Sequence, residues 1–374
     1  MIVKNLHISN LRNHKFSDIE FNSNVNLIHG RNGSGKTTIL EALSITSISK
    51  SFLPSKDEAL VRFGESSYDI IAKCESDLDV PYYCSVRYEI RQKKQMRNSR
   101  SETVSPRSLI GEMPSVVLSP DHKSITFGSP SFRRDFIDRV LCQSSISYLK
   151  NLSRHKKILR QRNSLLSQIK KRESHDFESL KLWTNNFIEL SADIIFKRNE
   201  FIENLSRNFK KAYSEISKAD TGINLIYQAH GVEDIDKINE KENIISGLNK
   251  EYLRRKDEEL LRGTSAFGPQ KDDIRIEING GLARDTASQG QHKTLLISLK
   301  TAEFIFLREK CNETPILLLD DIFSELDSER ASHVLELVGK NKVQTFITST
   351  NKNIDGIDNV GSVSLFELKS GKIV

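Results

Sequence analysis

The sequence predicts an α/β protein in which both chain ends form one lobe around a mixed β-sheet, with a mainly helical second lobe inserted between them. Three observations support this prediction. A short strand, a glycine-rich loop and a helix follow one another near the N-terminus. From about residue 131 to residue 261, the apolar residues recur with the spacing of a helix. Near the C-terminus, an apolar strand ends in two carboxylates. We therefore place the first lobe at residues 1–125 and 262–374 and the helical lobe at residues 126–261.

The N-terminal segment shows the short alternating patterns of β-strands. Residues 24–29 predict a strand, and a helix is expected over residues 36–43. Residues 68–90 alternate as two further strands. The basic stretch 91–100 that follows them is predicted to be a hairpin tip or loop.

The middle of the chain is predicted to be helical, with one interruption at residues 222–231. Leu152, Leu159 and Leu166 form an apolar stripe, and a second long helix is expected over residues 182–209.

The C-terminal segment returns to alternating strands and helices. Strands are predicted at residues 274–278, 316–319 and 344–348, and helices at about residues 291–309 and 329–338.

Composition limits the class of protein. The 56 basic and 50 acidic residues give a net charge of +6, which permits a polyanionic partner without requiring one. No apolar stretch approaches the ~20 residues that a membrane span needs, and the N-terminus lacks the apolar region of a signal peptide. These two observations lead us to expect a cytoplasmic protein. The four cysteines form no CxxC pair, so we expect reduced thiols and no structural zinc.

The glycine-rich loop matches the pattern GxxxxGK[ST] between a strand and a helix. Such a loop directs backbone N–H groups at a phosphate, and the following helix adds its positive dipole end. The lysine neutralises phosphate oxygens, and the next hydroxyl is placed to bind Mg²⁺. The alternative is a glycine-rich turn with an incidental lysine. The predicted nucleotide-binding residues here are Gly30, Arg31, Asn32, Gly33, Ser34, Gly35, Lys36, Thr37 and Thr38.

Two carboxylates follow the apolar run at residues 316–319. Asp320 falls at the end of a predicted buried strand, where open α/β sheets bind ligands, and can hold Mg²⁺ beside Thr37. Asp321 is the candidate catalytic residue that orients or deprotonates the attacking water. Lys36 is the second predicted catalytic residue, through its charge on the β- and γ-phosphate oxygens. The alternative is a strand followed by an acidic helix cap.

A serine and a glycine begin the long helix that precedes this strand. Ser288, Gly290 and Gln291 lie in the sequence SQGQ. A hydroxyl and free N–H groups at a helix start can bind phosphate, although the same residues also suit an ordinary N-cap.

The order of P-loop, SQGQ, LLLDD and SELD resembles the ABC-ATPase head of the SMC, Rad50 and RecF group. The resemblance implies a P-loop NTPase head with ATP and Mg²⁺ as cofactors. It also implies that Ser288, Gly290 and Gln291 contact the γ-phosphate bound by a partner chain, with Asp327 at the dimer seam. ATP would then hold a homodimer together, and hydrolysis would release it.

Further stretches resemble the RecF family within that group. They are LRN at residues 11–13, LEA at 40–42, GSP at 128–130, RRDFID at 133–138, QRN at 161–163 and GPQKDD at 268–273. The resemblance implies a nucleoid-associated protein of recombinational repair, replication-fork maintenance and the SOS response. The implied partners are DNA, RecR and RecO, with RecA as the recombinase that is loaded. Arg12 is implied to reach the nucleotide phosphates from the same chain.

Two positions depart from the ABC pattern. Asp321 stands where many ABC proteins carry glutamate, and its shorter side chain predicts slow hydrolysis. No histidine follows the strand at residues 344–348, so Thr348 or Thr350 is expected to take part of the switch role.

Two basic stretches are candidate DNA-binding surfaces, because lysine and arginine neutralise phosphates without reading sequence. A solvated helix face is the alternative for both. The first stretch contains Lys150, Arg154, Lys156, Lys157, Arg160, Arg162, Lys170, Lys171 and Arg172. The second contains Arg91, Lys93, Lys94, Arg97 and Arg100. Neither stretch interleaves aromatic residues, which favours duplex backbone contact over base stacking.

Two other functions share parts of this pattern. The nucleotide-binding subunit of an ABC transporter would have the same loops, but typically has a histidine switch. A short SMC- or Rad50-like structural head would place a long coiled coil between the P-loop and SQGQ, where this chain has predicted strands.

Overall fold

A computed structural model describes residues 1–101, 103–218, 222–232 and 240–374. The chain divides into two compact units. The first comprises Met1–Lys123, Lys211–Ala219 and Gln289–Val374, and the second comprises Ser124–Lys210 and Asp220–Ser288. The predicted boundary at residue 262 therefore differs from the one in the structure. Residues 262–288 group with the second unit because their strand pairs with a strand at residues 223–228.

The first unit contains a five-stranded antiparallel sheet in the order β2-β1-β4-β5-β6. Its strands are β1 (Ile2–Leu11), β2 (His14–Glu20), β4 (Ser67–Glu75), β5 (Pro81–Glu89) and β6 (Gln95–Asn98). The stretch predicted as a hairpin tip thus contains a strand. β6 pairs with β5 and buries Met96, and the turn lies in the residues between the two strands.

The second sheet of this unit has the order β14-β13-β3-β12-β11-β7. Its strands are β3 (Val25–His29), β7 (Ser115–Leu118), β11 (Ile316–Asp320), β12 (Thr345–Ser349), β13 (Val363–Lys369) and β14 (Lys372–Ile373). All neighbouring pairs are parallel except β13 and β14. The sheet is therefore mixed, as predicted. β11 is buried at every residue, which explains its unbroken apolar sequence.

The helices of the first unit are α1 (Lys36–Ile48), α2 (Pro106–Leu109), α9 (Gln289–Lys310) and α10 (Ser328–Asn341). α1 is buried almost throughout, and its residues belong to one hydrophobic core with side chains of both sheets. This packing fixes the helix that carries Lys36 and Thr37 at its start.

The second unit contains the predicted helices and a small sheet, of which only the strand at residues 274–278 was predicted. Its helices are α3 (Ser124–Phe127), α4 (Pro130–Ser144), α5 (Ile146–Lys170), α6 (Phe177–Ser217), α7 (Lys241–Arg262) and α8 (Ala283–Thr286), with the last turns of α6 grouped with the first unit. Its strands β8 (Ile223–Gln228), β9 (Asp273–Ile278) and β10 (Gly281–Leu282) form the order β10-β9-β8. β8 lies where the sequence suggested only an interruption between helices.

Among the helices of the described residues, none combines the length and the apolar character that crossing a membrane requires.

Candidate functional site

The glycine-rich loop connects β3 to α1, as predicted. β3 lies between β12 and β13, so the loop emerges at the carboxyl edge of the parallel strands. Asp320 ends β11 at the same edge. The fold therefore brings the N-terminal and C-terminal halves of the predicted site together.

Three consecutive carbonyl groups of the loop are held from outside by residues distant in sequence. Asn13 Nδ2 donates to the Gly33 carbonyl oxygen over 3.0 Å. The backbone N–H of Gly371, in the β13–β14 turn, donates to the Ser34 carbonyl oxygen over 2.8 Å. His14 Nε2 lies 3.0 Å from the Gly35 carbonyl oxygen. We call Asn13, His14 and Gly371 the outer clamp.

The outer clamp sets the direction of the backbone N–H groups that follow these carbonyls. The described peptide bonds include no cis bond, and a trans peptide directs its C=O and N–H groups oppositely. With the Ser34 and Gly35 carbonyls held outward, the N–H groups of Gly35 and Lys36 point to the inner side of the loop. This is the arrangement that a phosphate-binding loop needs.

The close approach of the outer clamp explains the glycine at position 35. Gly35 has a φ of 106°, and an added Cβ would lie 2.6 Å from atoms of both Asn13 and His14. The sequence pattern requires glycine here, but only the structure shows which neighbours exclude a side chain.

His14 is fully buried, and burial lowers the pKa of its imidazole. The ring is therefore neutral at pH 7. Because a carbonyl oxygen only accepts, Nε2 carries the proton, and Nδ1 accepts from the Ser17 hydroxyl 2.8 Å away.

We expect His14→Leu to raise the Kd for ATP about fivefold, because the Gly35 carbonyl loses its side-chain donor and retains the Thr38 backbone N–H at 3.1 Å. The loss of one net hydrogen bond costs roughly 0.5–1.5 kcal/mol. His14→Gln retains an N–H donor and should restore much of the affinity. Titration with a fluorescent ATP analogue measures both, with His7→Leu as the control for removing a histidine from the same sheet. Equal affinities of the leucine variant and the parent would contradict this role.

Lys36 lies in the loop with only 7% of its surface exposed. Its Nζ donates to the carbonyl oxygens of Gly30 and Arg31 over 2.8 and 3.1 Å. An ammonium group has three donors, so one remains for an anion. Burial lowers the pKa of Lys36, and the charges of Asp321 and Asp320 oppose that shift.

Thr37 and Asp320 are brought together as predicted for a magnesium site. Thr37 Oγ1 donates to Asp320 Oδ1 over 2.9 Å, and Thr348 Oγ1 donates to the same oxygen over 2.7 Å. Adjacent ligands of an octahedral Mg²⁺ lie about 2.9 Å apart, given metal–oxygen distances of about 2.0–2.1 Å. The hydroxyl and carboxylate oxygens therefore fit that ion. Burial raises the pKa of Asp320, and a bound cation would favour its ionised form.

Asp321 follows the strand in a left-handed conformation with φ 48°. Its backbone N–H donates to Thr348 Oγ1 over 2.9 Å. Its Oδ1 atom is buried and has no hydrogen-bond partner within the described part of the chain. A carboxylate oxygen in this state can accept a hydrogen bond from a water molecule, which suits the predicted role.

Of the two threonines considered for the switch role, Thr348 contacts both carboxylate residues. It is fully buried, whereas Thr350 is exposed. Thr348 is therefore the residue through which β12 contacts the end of β11.

Arg12 forms a bidentate pair with a residue of α1 and does not extend over the loop. Its Nε and Nη2 atoms donate to the Glu41 carboxylate over 3.0 and 2.8 Å, and Nη2 also donates to Ser55 Oγ. Glu41 lies one helical turn after Thr37. A phosphate contact by Arg12 would require this pair to open.

The SQGQ residues lie at the start of α9. Ser288 is exposed and Gln291 partly exposed, which leaves this helix start accessible to a second molecule. Thr294 Oγ1 donates to the Gly290 carbonyl oxygen and accepts from Arg330 Nε. Asp327 caps α10 by accepting from the backbone N–H of Arg330. The segment that contains Asp327 is thus linked to the start of α9.

The structure separates the predicted DNA-binding residues into accessible and buried ones. Lys150, Arg154, Lys156, Lys157 and Arg160 are exposed on α5, and Arg91, Lys93, Arg97 and Arg100 are exposed around β6.

Two basic residues of these stretches are not available to DNA, so their inclusion was wrong. Arg162 is fully buried, and its guanidinium pairs with Glu259 and donates to Thr184 and Ser265. The Lys94 side chain is 9% exposed, and its Nζ binds Asp57 and the Ser49 carbonyl. Burial lowers the pKa of Lys94.

Comparison with known proteins identifies the family. Residues 5–262 match the family described as AAA domain. The chain is 35% identical to "DNA replication and repair protein RecF" of Chloroherpeton thalassium over 348 residues, which cover 93% of this chain and 94% of that protein. The chain belongs to the RecF family. The RecF protein of Bacillus subtilis is 31% identical over 379 residues, with full coverage of both chains.

Solved structures agree with this RecF assignment. "Structure of the recombination mediator protein RecF-ATPrS in RecFOR pathway" matches with a TM-score of 0.91 and 30% identity, covering 99% of this chain and 97% of that one. An Smc head bound to the winged-helix domain of ScpA matches with a TM-score of 0.56 at 16% identity. At that identity, the match shows a shared fold alone. The predicted ABC-ATPase head and the RecF resemblance are confirmed.

Proposed function

We propose that this RecF-family chain is an ATP-dependent DNA-binding protein of recombinational repair. In this proposal, ATP and Mg²⁺ bind between the P-loop of one subunit and the SQGQ segment of another, and the resulting homodimer clamps duplex or gapped DNA. RecR and RecO are the proposed partners in loading RecA, and replication-fork maintenance and the SOS response are the proposed contexts. We further propose that the protein acts in the cytoplasm at the nucleoid.

One observation carries the nucleotide part of the proposal. Lys36, Thr37, Asp320 and Asp321 lie at one sheet edge, and Thr348 hydrogen-bonds both aspartates. A phosphate, a cation and a water molecule each find suitable donors or acceptors there. Solved RecF structures that are named for ATP and ATPrS support the nucleotide.

The proposed activity is a weak ATPase. Lys36 would hold and neutralise the phosphates, while the N–H groups of Gly35 and Lys36 would donate to their oxygens. Mg²⁺ bound at Thr37 and Asp320 would offset charge on the phosphates. Asp321 would accept a proton from the attacking water through its unpartnered oxygen. Its side chain is one methylene shorter than that of glutamate, so slow turnover is expected.

Sedimentation velocity with ATP, with ADP and without nucleotide tests dimerisation, each with and without a DNA duplex. We expect a dimer in ATP, strengthened by DNA, and a monomer in the other two states. An identical sedimentation coefficient in all conditions would count against the clamp.

The exposed face of α5 is the proposed contact for DNA phosphates. We expect the double variant Lys156→Glu, Lys157→Glu to bind duplex DNA at least about tenfold more weakly. The slope of log K against log salt concentration should decrease in magnitude by about 2, because two phosphate contacts are lost. Nucleotide affinity should stay unchanged. Fluorescence anisotropy across a salt series measures this.

The matched control for this experiment is Lys181→Glu, Lys256→Glu. Both lysines are exposed in the same unit, and the change in net charge is the same. Equal DNA affinity of the α5 variant and this control at every salt concentration would remove α5 from the DNA surface.

A further inference from the structure

The second unit contains a cavity of about 330 Å³ over one face of its small sheet. Its wall combines residues of the sheet with residues of α3, α4 and α8. The residues that line it and carry charge are Arg133, Asp273, Arg275 and Arg284. These sheet and α8 residues belong to no site predicted from the sequence, and the P-loop chemistry does not use them.

The only lining carboxylate among the described residues is neutralised inside the protein. Arg133 Nε and Nη2 donate to the two Asp273 oxygens over 2.7 and 3.0 Å, and Nη1 donates to the Gly128 carbonyl oxygen over 2.8 Å. The Arg133 side chain is only 4% exposed, so this pair forms a fixed part of the wall. It adds little net charge to the cavity.

Arg275 and Arg284 remain as the accessible cations of the cavity. The Arg275 side chain is 40% exposed and places Nη2 3.0 Å from Glu277. Its Nε atom is buried and lacks a hydrogen-bond partner among the residues that the structure describes. Arg284 is 49% exposed and contacts only its neighbour Asp285 at 3.3 Å among the ion pairs of the described chain.

We propose that this cavity binds a phosphate group of a nucleic acid strand or of a free nucleotide. Guanidinium groups offer planar pairs of N–H donors that suit phosphate oxygens, and the exposed parts of the Arg275 and Arg284 side chains can present such donors to a ligand. The volume lies at the lower end of the roughly 300–1,000 Å³ typical of ligand sites, which leaves room for a sugar beside the phosphate. Ile274, Ile276 and Leu282 also line it and can contact the apolar part of such a ligand.

The test uses the full chain with Lys36→Met, which weakens phosphate binding at the P-loop. Binding of inorganic pyrophosphate is measured by calorimetry, and binding of an oligothymidylate of roughly 20 nucleotides by anisotropy. We expect Arg275→Gln, Arg284→Gln to weaken binding of at least one probe about tenfold or more. If only the affinity for the oligonucleotide falls, the phosphate that the cavity binds belongs to a nucleic acid strand. The slope of log K against log salt concentration should then decrease in magnitude by about 1.4, because two phosphate contacts are lost. If the affinity for pyrophosphate also falls, the ligand is a free phosphate compound such as a nucleotide.

Two further variants make the result specific. Arg275→Lys, Arg284→Lys keeps the charge but loses the planar pairs of donors, so its affinity should lie between those of the parent and the double glutamine variant. That result also shows that the fold tolerates changes at these positions. Arg207→Gln removes an exposed arginine of α6 and should have no effect. Unchanged affinity of the double glutamine variant for both probes overturns the proposal. With Lys36 intact, that variant should still dimerise in ATP, so failure of the clamp and failure of this site are distinguishable.

Discussion

Lys36→Met is expected to abolish measurable ATP binding and, with it, ATP-dependent dimerisation. In the proposed site, this side chain would supply the charge that opposes the β- and γ-phosphates. It also bonds to the Gly30 and Arg31 carbonyl oxygens, so its loss removes the link that ties the first two residues of the loop to the start of α1. Each hydrogen bond to a charged group contributes about 1.5–3 kcal/mol, which corresponds to at least a tenfold rise in Kd for one contact.

Calorimetry with ATP and sedimentation velocity measure the two effects separately. Met has a similar length, and α1 is fixed by its buried apolar side chains, so the melting temperature without nucleotide should stay close to that of the parent. Lys50→Met is the matched control, since Lys50 is exposed just beyond the end of α1. Stable dimers of Lys36→Met in ATP would contradict the proposed mechanism.

The parts of the site that sequence predicts are those that lie within one short segment. The P-loop and the Asp320–Asp321 pair combine a local motif with a strand next to it, and both were located correctly. The spacing of residues also predicted the long helices, because a helix places its apolar residues by local geometry. The outer clamp was not predicted, because His14 and Gly371 meet the loop only after the sheet has formed.

The errors came from residues whose partners are far away in the chain. Arg162 looked like part of a basic face, but Glu259, 97 residues later, holds it in the interior. Lys94 was misassigned for the same reason, since its partner Asp57 lies on another segment. β8 did carry a signal in the alternation of Ile223, Leu225 and Tyr227, which are all buried, but the nearby glycines suggested a loop.

Ser288→Arg is expected to retain ATP binding by the single subunit and to lose the ATP-dependent dimer. Ser288 is exposed at the start of α9, so a larger side chain is tolerated within the subunit. An arginine there would fill the space that the proposed composite site needs between this helix and the partner's nucleotide. Calorimetry should give a Kd for ATP within about twofold of the parent, a difference of roughly 0.4 kcal/mol.

The matched control is Ser147→Arg, which places the same change on an exposed serine at the start of α5. This control should dimerise in ATP as the parent does. Dimers of Ser288→Arg with the parent's dissociation constant would show that SQGQ does not close over a partner's nucleotide.

A mixture of the two variants separates a composite site from a site within one subunit. Lys36→Met lacks a working P-loop but keeps Ser288, whereas Ser288→Arg keeps its P-loop. Each heterodimer therefore contains one intact composite site. That site is formed by the P-loop of the Ser288→Arg subunit and the start of α9 in the Lys36→Met subunit. We expect the mixture to form dimers in ATP at concentrations where each variant alone stays monomeric. If each subunit enclosed its own nucleotide, mixing would restore nothing, because neither chain would contain a complete site.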